Sequence, residues 1–340
     1  MGRRGARRPT LADVAARAGM SKAAVSMVLN DRPDSRLSAE AARRIRAAAD
    51  ELDYRPNPAA QSLRSGTTRT IGFISDEVTI TRYASGMIRG VLDAARAHEH
   101  TVLMSETAGE HDLTDTVQAM TDRRVDGLLI GLMTARLIDV PEVPPGLPLV
   151  LVNGMSSQGH ASVLPDERSA GEAVAHYLVD RGHRAIGIIG DLPEIAGDLR
   201  RSATIADRFA GITTVLAGAG VTPARLALPA WGPEIGYDST HRLLDTHPEL
   251  TALIAGNDSV AFGIYQALTE RRLRVARDIS VISFDDDEFA AFQRPGLTTA
   301  RLPYEEMATC GVDMLLGHRD TGPLRLPMPL IERDSVRDLR

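Results

Sequence analysis

A single cysteine, Cys310, in 340 residues leaves no intrachain disulfide, and its place in a helical pattern reads as a small buried apolar side chain. No apolar run approaches the length that crosses a bilayer. The opening MGRRGARRPT carries arginines with no apolar core behind them, so it reads as neither secretory signal nor anchor, and a cytoplasmic protein without a membrane partner is expected. Chemistry-bearing motifs are missing too. No glycine-rich dinucleotide fingerprint, no phosphate loop with its lysine and no histidine pair at zinc spacing occurs. The stretch GMSSQG at Gly154–Gly159 narrowly misses the nucleophile elbow. Hence no cofactor, metal or catalytic residue is expected, although doubly wound folds do serve many enzymes. No internal repeat or low-complexity tract is evident.

Charge is present but unevenly distributed. Residues 1–69 hold fourteen Lys and Arg against seven Asp and Glu, a net of +7, whereas the whole chain is −6, which leaves −13 on residues 70–340. A basic head suits phosphate neutralisation, and an acidic body discourages nonspecific contact with nucleic acid.

The basic segment contains TLADVAARAGMSKAAVSMVLN, Thr10–Asn30. Leu11, Val14, Ala15 and Ala18 share one helical face, Thr10 can cap that helix, and Asp13 suits its positive end. Gly19 permits the left-handed turn that stops it. Ser21 can cap a second helix with Val25, Val28 and Leu29 on one side, and Ser38 a third with Ala41, Ile45, Ala48 and Leu52. Two short helices at a sharp angle, closed by a third, make a helix-turn-helix unit whose second helix enters the major groove. Two capped helices around a glycine also occur in domains that never touch DNA; the charge and the sequence that follows favour DNA.

Next comes a short hinge, residues 57–65. Asn57 can cap and Pro58 suits a first helical position, but two turns are too few to hold alone, so this helix is expected to fold only on DNA. From Thr70 the chain alternates apolar runs and helical patterns: IGFIS, TVLMS, GLLIG and LVLVN, then AIGIIG, TALIAG and VISF. Two such sets predict an α/β body of two doubly wound parallel-sheet lobes, with ligand beyond the carboxyl ends of the strands. Asp76, Arg82, Tyr83, Asn153, Asn257, Asp258 and Asp285 lie at or just after those ends.

TLADVAARAGMSKAAVSMVLN followed by ELDYRPNPAAQSL resembles the lactose-repressor (LacI) family of transcription regulators. Weaker matches continue through DGLLIG, DRGHRAIGIIG, DRFAGI, GNDSVAFG, VISFDDDEFAAF and PGLTTA, so the resemblance covers nearly the whole chain. It implies a helix-turn-helix head at 1–56, a hinge at 57–69, a first lobe from 70–164 with 297–318, and a second lobe from 165–296 with 319–340, in the two-lobed arrangement that exported sugar-binding proteins share. It places Lys22, Ala23 and Met27 at bases, with Thr10, Ser21 and Asn30 near phosphates. Many members carry arginine where this chain has Met27, and a thioether cannot make arginine's bidentate contact to guanine. Leu63 is implied as a minor-groove wedge, with Ala60 keeping paired hinge helices close. Arg208 and Trp231 join the cleft by the same resemblance. Arg208 could instead pair with a neighbouring acid, Asp258 could merely cap its helix, and Trp231 could be core. The function implied is a homodimeric repressor of an approximately palindromic double-stranded DNA operator, controlled allosterically by a small molecule. A mono- or oligosaccharide is the expected effector; a nucleobase or other metabolite is the alternative.

Overall fold

The structure, a computed structural model, describes residues 9–30, 37–55, 62, 66–76, 84–107 and 110–340, apart from the side chains of 110 and 111. The chain divides into two compact units, residues 1–68 and 69–340. The hinge positions Asn57, Ala60 and Leu63 and the cleft candidates Arg82 and Tyr83 lie outside the described residues.

In the first unit, α1 (Leu11–Ala18), α2 (Lys22–Leu29) and α3 (Ala39–Glu51) enclose Val14, Ala15, Ala24, Val25, Val28, Ile45, Ala48 and Ala49. Thr10 and Asp13 form a reciprocal capping box on α1. Gly19 ends that helix at φ 64°, a left-handed geometry glycine adopts without strain. Ser21 and Ser38 cap α2 and α3 by accepting from the Ala24 and Ala41 amides.

The second unit holds two six-stranded sheets. The first contains β1 (Thr70–Asp76), β2 (Thr101–Thr107), β3 (Gly127–Ile138), β4 (Leu149–Ser156) and β5 (Ala161–Pro165), flanked by α4 (Ala84–Ala97) and α5 (Glu110–Asp122). The second contains β6 (Ile186–Asp191), β7 (Ala224–Ala227), β8 (Ala252–Ala255), β9 (Ser280–Asp285) and β10 (Thr298–Arg301). Its helices are α6 (Glu167–Asp180), the short α7 (Pro193–Ala196), α8 (Ile205–Gly218), α9 (Pro233–Thr246), α10 (Asp258–Glu270) and the short α11 (Glu288–Phe292). The order β2-β1-β3-β4-β5 in one sheet recurs as β7-β6-β8-β9-β10 in the other, so the repeat lies in topology rather than in residues.

After β10 the chain returns to the first sheet as α12 (Tyr304–Leu315), which buries Met307, Ala308 and Val312 against Phe73 and Val150. Two of the expected lobe boundaries shift. Thr298–Arg301 pairs with β9 and so belongs to the second sheet, not to a first-lobe segment starting at 297. Likewise β11 (Leu324–Leu326) pairs with β5 in the first sheet, and only β12 (Leu330–Ile331) crosses back, antiparallel to β10. Backbone pairing decides membership here: each of these short segments fills an open edge that the sheet before it had left.

Candidate functional site

On the head, Lys22 and Ala23 are exposed at the start of α2, and Met27, one turn on, is half-buried. This is the end of the second helix that a helix-turn-helix unit offers to base edges. Thr10 is already engaged, since its hydroxyl donates to Asp13 Oδ2 at 2.7 Å and accepts from the Asp13 amide. Asn30 caps the far end of α2 and donates to Ser26 Oγ at 3.3 Å.

On the body, a cavity of about 330 Å³ opens between the two sheets at the carboxyl ends of their strands. From the first sheet come Met133, Thr134 and Asn153; from the second, Glu167, Arg208, Trp231, Asn257 and Asp285; Tyr304 closes the base. Helices α6 and α8 set its central pair. A methyl on Gly171 would collide with the Arg208 carbonyl, and one on Gly211 with that of Arg168, so both positions must be glycine for the helices to lie this close. That proximity brings Glu167, at the start of α6, onto Arg208. Two parallel bonds join them, Nε to Oε2 at 2.6 Å and Nη2 to Oε1 at 2.7 Å, while Nη1 donates to the Gly256 carbonyl. Burial alone would disfavour the guanidinium charge, but Glu167, with Asp285 and Asp258 nearby, holds its pKa above the ordinary value.

Asn153 sits at φ 54° and is buried. Its Nδ2 donates to the Leu132 carbonyl at 2.8 Å and lies 3.3 Å from that of Met133, which leaves Oδ1 buried with no partner. An orphaned buried acceptor is costly. Trp231 Nε1 donates to the Gly190 carbonyl at 2.8 Å, which fixes the indole over the cavity with the Arg208 guanidinium 5.2 Å from its ring. Tyr304 donates to the Met133 carbonyl at 2.8 Å, and its burial pushes the phenol pKa well up, so this bond ties the returning helix to the first sheet at any physiological pH.

A model of bacterial regulatory proteins of the lacI family matches residues 10–57, and one of periplasmic-binding-protein-like domains matches residues 175–336. The chain is 32% identical over 347 aligned positions to the ribose operon repressor of Escherichia coli (strain K12), covering 96% of this chain and 99% of that protein. It belongs to the LacI family. The transcriptional repressor PurR of Erwinia tasmaniensis is also 32% identical, with 97% of each chain covered. Among solved structures, the lac repressor dimer bound to operator and the anti-inducer ONPF superposes with a TM-score of 0.78 at 26% identity, over 97% of this chain and all of that one. The protein is therefore a LacI-family transcriptional repressor with effector binding, not an enzyme; members of this family bind DNA operators and small-molecule effectors as dimers. Among the described residues no helix is long and apolar enough to cross a membrane.

Within this LacI-family body the cavity gathers Asn153, Arg208, Trp231, Asn257 and Asp285 out of the nine residues expected there. Two others sit elsewhere. Asp258 is fully buried behind the cavity, where it accepts from the Asp287 amide at 2.7 Å and Thr299 Oγ1 at 2.8 Å. Asp76 faces a neighbouring cavity, paired with Arg136 at 2.6 Å and accepting from the Met133 amide. Its position one strand across from β3 makes it a brace for the stretch of β3 that carries Met133. Asn257 caps α10 while lining the cavity. Arg208 lines the cleft and also pairs with a neighbouring acid, the alternative left open above, since Glu167 fills its guanidinium fork. Glu167 itself escaped the sequence, because an acid at a helix start is commonplace and its partner is 41 positions away.

Proposed function

We propose that this repressor is a homodimer that reads an approximately palindromic operator through two heads, and that a sugar held between the lobes sets its affinity for that operator. The single observation that carries the sugar reading is a cavity of about 330 Å³ lined by the polar side chains Asn153, Asn257 and Asp285 together with one indole, Trp231. Asn153, Asn257 and Asp285 would meet ring hydroxyls, and Trp231 would cover the apolar C–H face. The 32% identity to a ribose operon repressor supports the same reading. Arg208 and Glu167 form the rigid floor on which these groups stand. On the head, Lys22, Ala23 and Met27 face bases, Thr10, Ser21 and Asn30 lie near phosphates, and Asn57, Ala60 and Leu63 form the minor-groove hinge. Exposed Leu92 and Met104 on the first lobe, with Phe262 and Phe292 on the second, are the apolar side chains that a homodimer would cover.

A second reading, a nucleobase effector, draws on the likeness to PurR and on the flat indole face, which stacks on a planar base as readily as on a sugar. Trp231 is the sole tryptophan, so its fluorescence reports the cavity directly. The test titrates ribose, other pentoses and hexoses, and free nucleobases against that signal, then repeats each binder against an operator selected from random DNA. A saturable change with a sugar, accompanied by altered operator affinity, is expected. Saturation by a nucleobase and by no sugar would reverse the choice, and a monomer in sedimentation at micromolar concentration would remove the homodimer.

A further inference from the structure

Beside the cleft lies a second cavity, of about 460 Å³, over the carboxyl ends of β1 and β3. Its floor is apolar, with Ile74, Ile130 and Leu132, and its rim is basic, with Arg136, Arg200 and Arg201. Thr134, Ile195 and Arg201 line this cavity and the cleft alike, so the two are adjacent. The three arginines are not equivalent. Arg136 is neutralised by Asp76 at 2.6 Å and Arg200 by Asp139 at 2.8 Å, whereas among the described residues Arg201 has only the Glu194 backbone carbonyl, at 3.3 Å, as acceptor. This exposed guanidinium, with no carboxylate partner among the described residues, lines both cavities. On the opposite flank of the lobe interface the lining is acidic, with Asp286, Asp287, Glu288, Glu305 and Glu306. A charged ligand thus meets a polarised site that admits an anion from one side.

The backbone makes Arg201 conditional on how the lobes stand. Beyond its register shift the end of β3 stays paired with β4 on one side, and on the other Leu137 donates to the Leu199 carbonyl at 2.8 Å and Ala203 donates to the Ala135 carbonyl at 2.7 Å. Arg200 and Arg201 lie between these two bonds, which join the first lobe to the second. The basic rim of the second cavity is assembled only while the lobes keep this arrangement.

We infer that the effector is an anionic sugar, a phosphate ester whose ring lies in the cleft and whose phosphate meets Arg201 at the mouth of the second cavity. This rests on the sugar reading above and narrows it. A phosphate offers an acceptor geometry that matches the guanidinium fork, and Arg201 is the rim arginine that neither Asp76 nor Asp139 engages. Because Arg201 is in place only when β3 and the 199–203 segment are paired, the ester stabilises this lobe arrangement more than the parent sugar does, and a ligand shifts the repressor only by such a difference. The neutral parent sugar would fill the cleft and leave Arg201 solvated.

The experiment measures Trp231 fluorescence with ribose and ribose 5-phosphate, and with glucose and glucose 6-phosphate, on the full-length wild type and on Arg201→Gln. For the sugar that binds, the ester should bind about tenfold or more tightly than its parent, as one charge-assisted contact commands. In Arg201→Gln that ratio should collapse toward one, and in the wild type it should shrink as salt rises. An ester no tighter than its parent overturns the inference and leaves the sugar reading standing. If no sugar or ester binds, thermal unfolding with inorganic phosphate separates the two ideas. Stabilisation of the wild type that Arg201→Gln lacks keeps the anion site and sinks the sugar, whereas identical melting of both proteins overturns the anion site as well.

Discussion

At the residue scale, the Glu167–Arg208 pair fixes what a mutation in the cleft can report. Both side chains are almost fully buried, at 4% and 3% exposure, so removing one strands the other's charge away from water. Arg208→Ala should therefore cost about 3–5 kcal/mol of body stability, the range for breaking a buried pair, in addition to any loss of effector response. The double variant Glu167→Gln with Arg208→Met should recover part of that loss, since it removes the Glu167 charge together with the guanidinium and leaves only Asp285, 3.6 Å from Arg208 Nη2, without its cation. Urea unfolding of the wild type, Arg208→Ala and the double variant measures it, and a single-variant cost below about 1 kcal/mol would make the pair a minor feature. Asp258 supplies a pH signal. Burial first, then the nearby Asp285 charge, push its pKa up to about 8 despite the donors Thr299 and Asp287. A carboxyl raised in the folded state favours folding below its unfolded value near 4, and that contribution fades as pH rises toward about 8. His183 acts with the opposite sign, since burial lowers its pKa and stability falls as the medium acidifies below about 6.5. Subtracting Asp258→Asn from wild type isolates the first effect: the wild-type melting temperature, relative to the variant, should drop between pH 5 and 8. A flat difference would show Asp258 ionised throughout.

At the scale of elements, legibility follows from burial. Strands covered on both faces, such as Ile71–Ser75 and Val281–Phe284, are continuous apolar runs and stand out from the sequence alone. The edge strands do not. ARLA at Ala224–Ala227 and LRL at Leu324–Leu326 each expose an arginine and span three or four residues, too few for a periodic pattern. The outward run of β3 from Leu132 to Ile138 hid for another reason. Its register against β4 shifts between Gly131 and Arg136, so the pattern that announces GLLIG breaks there, before Arg136, Leu137 and Ile138 pair with β4 again. That extension carries Met133, Thr134 and the two interlobe backbone bonds, which is why half of the cleft was invisible before the fold was known. The residues read in advance, Asn153, Trp231, Asn257 and Asp285, sit at strand ends or match family motifs. Those missed, Glu167, Met133 and Tyr304, take their roles from partners 41 to 171 positions away.

At the scale of the molecule, the division into two compact units coincides with the division of charge. Residues 1–69 carry +7 and the remainder −13, with the boundary between units at residue 68. Affinity for DNA should therefore belong to the first unit and be strongly salt-dependent, because each phosphate neutralised by Lys or Arg releases a counterion and contributes about −0.9 to the slope of log K against log salt. The body, with its own cores in both sheets, should fold without the head. Deleting residues 1–66 should leave a body that unfolds cooperatively and still answers effector through Trp231, while operator binding disappears. The full chain should lose affinity steeply between roughly 50 and 200 mM salt. Gel-shift titrations across that range, with calorimetry of the truncated body, supply both readouts. Comparable operator affinity in the truncated protein would place DNA recognition on the acidic body, against its charge. A shallow salt slope in the full chain would mean that the arginines of the first unit meet few phosphates, and that apolar or base-edge contacts around Ala23 and Met27 carry the binding instead.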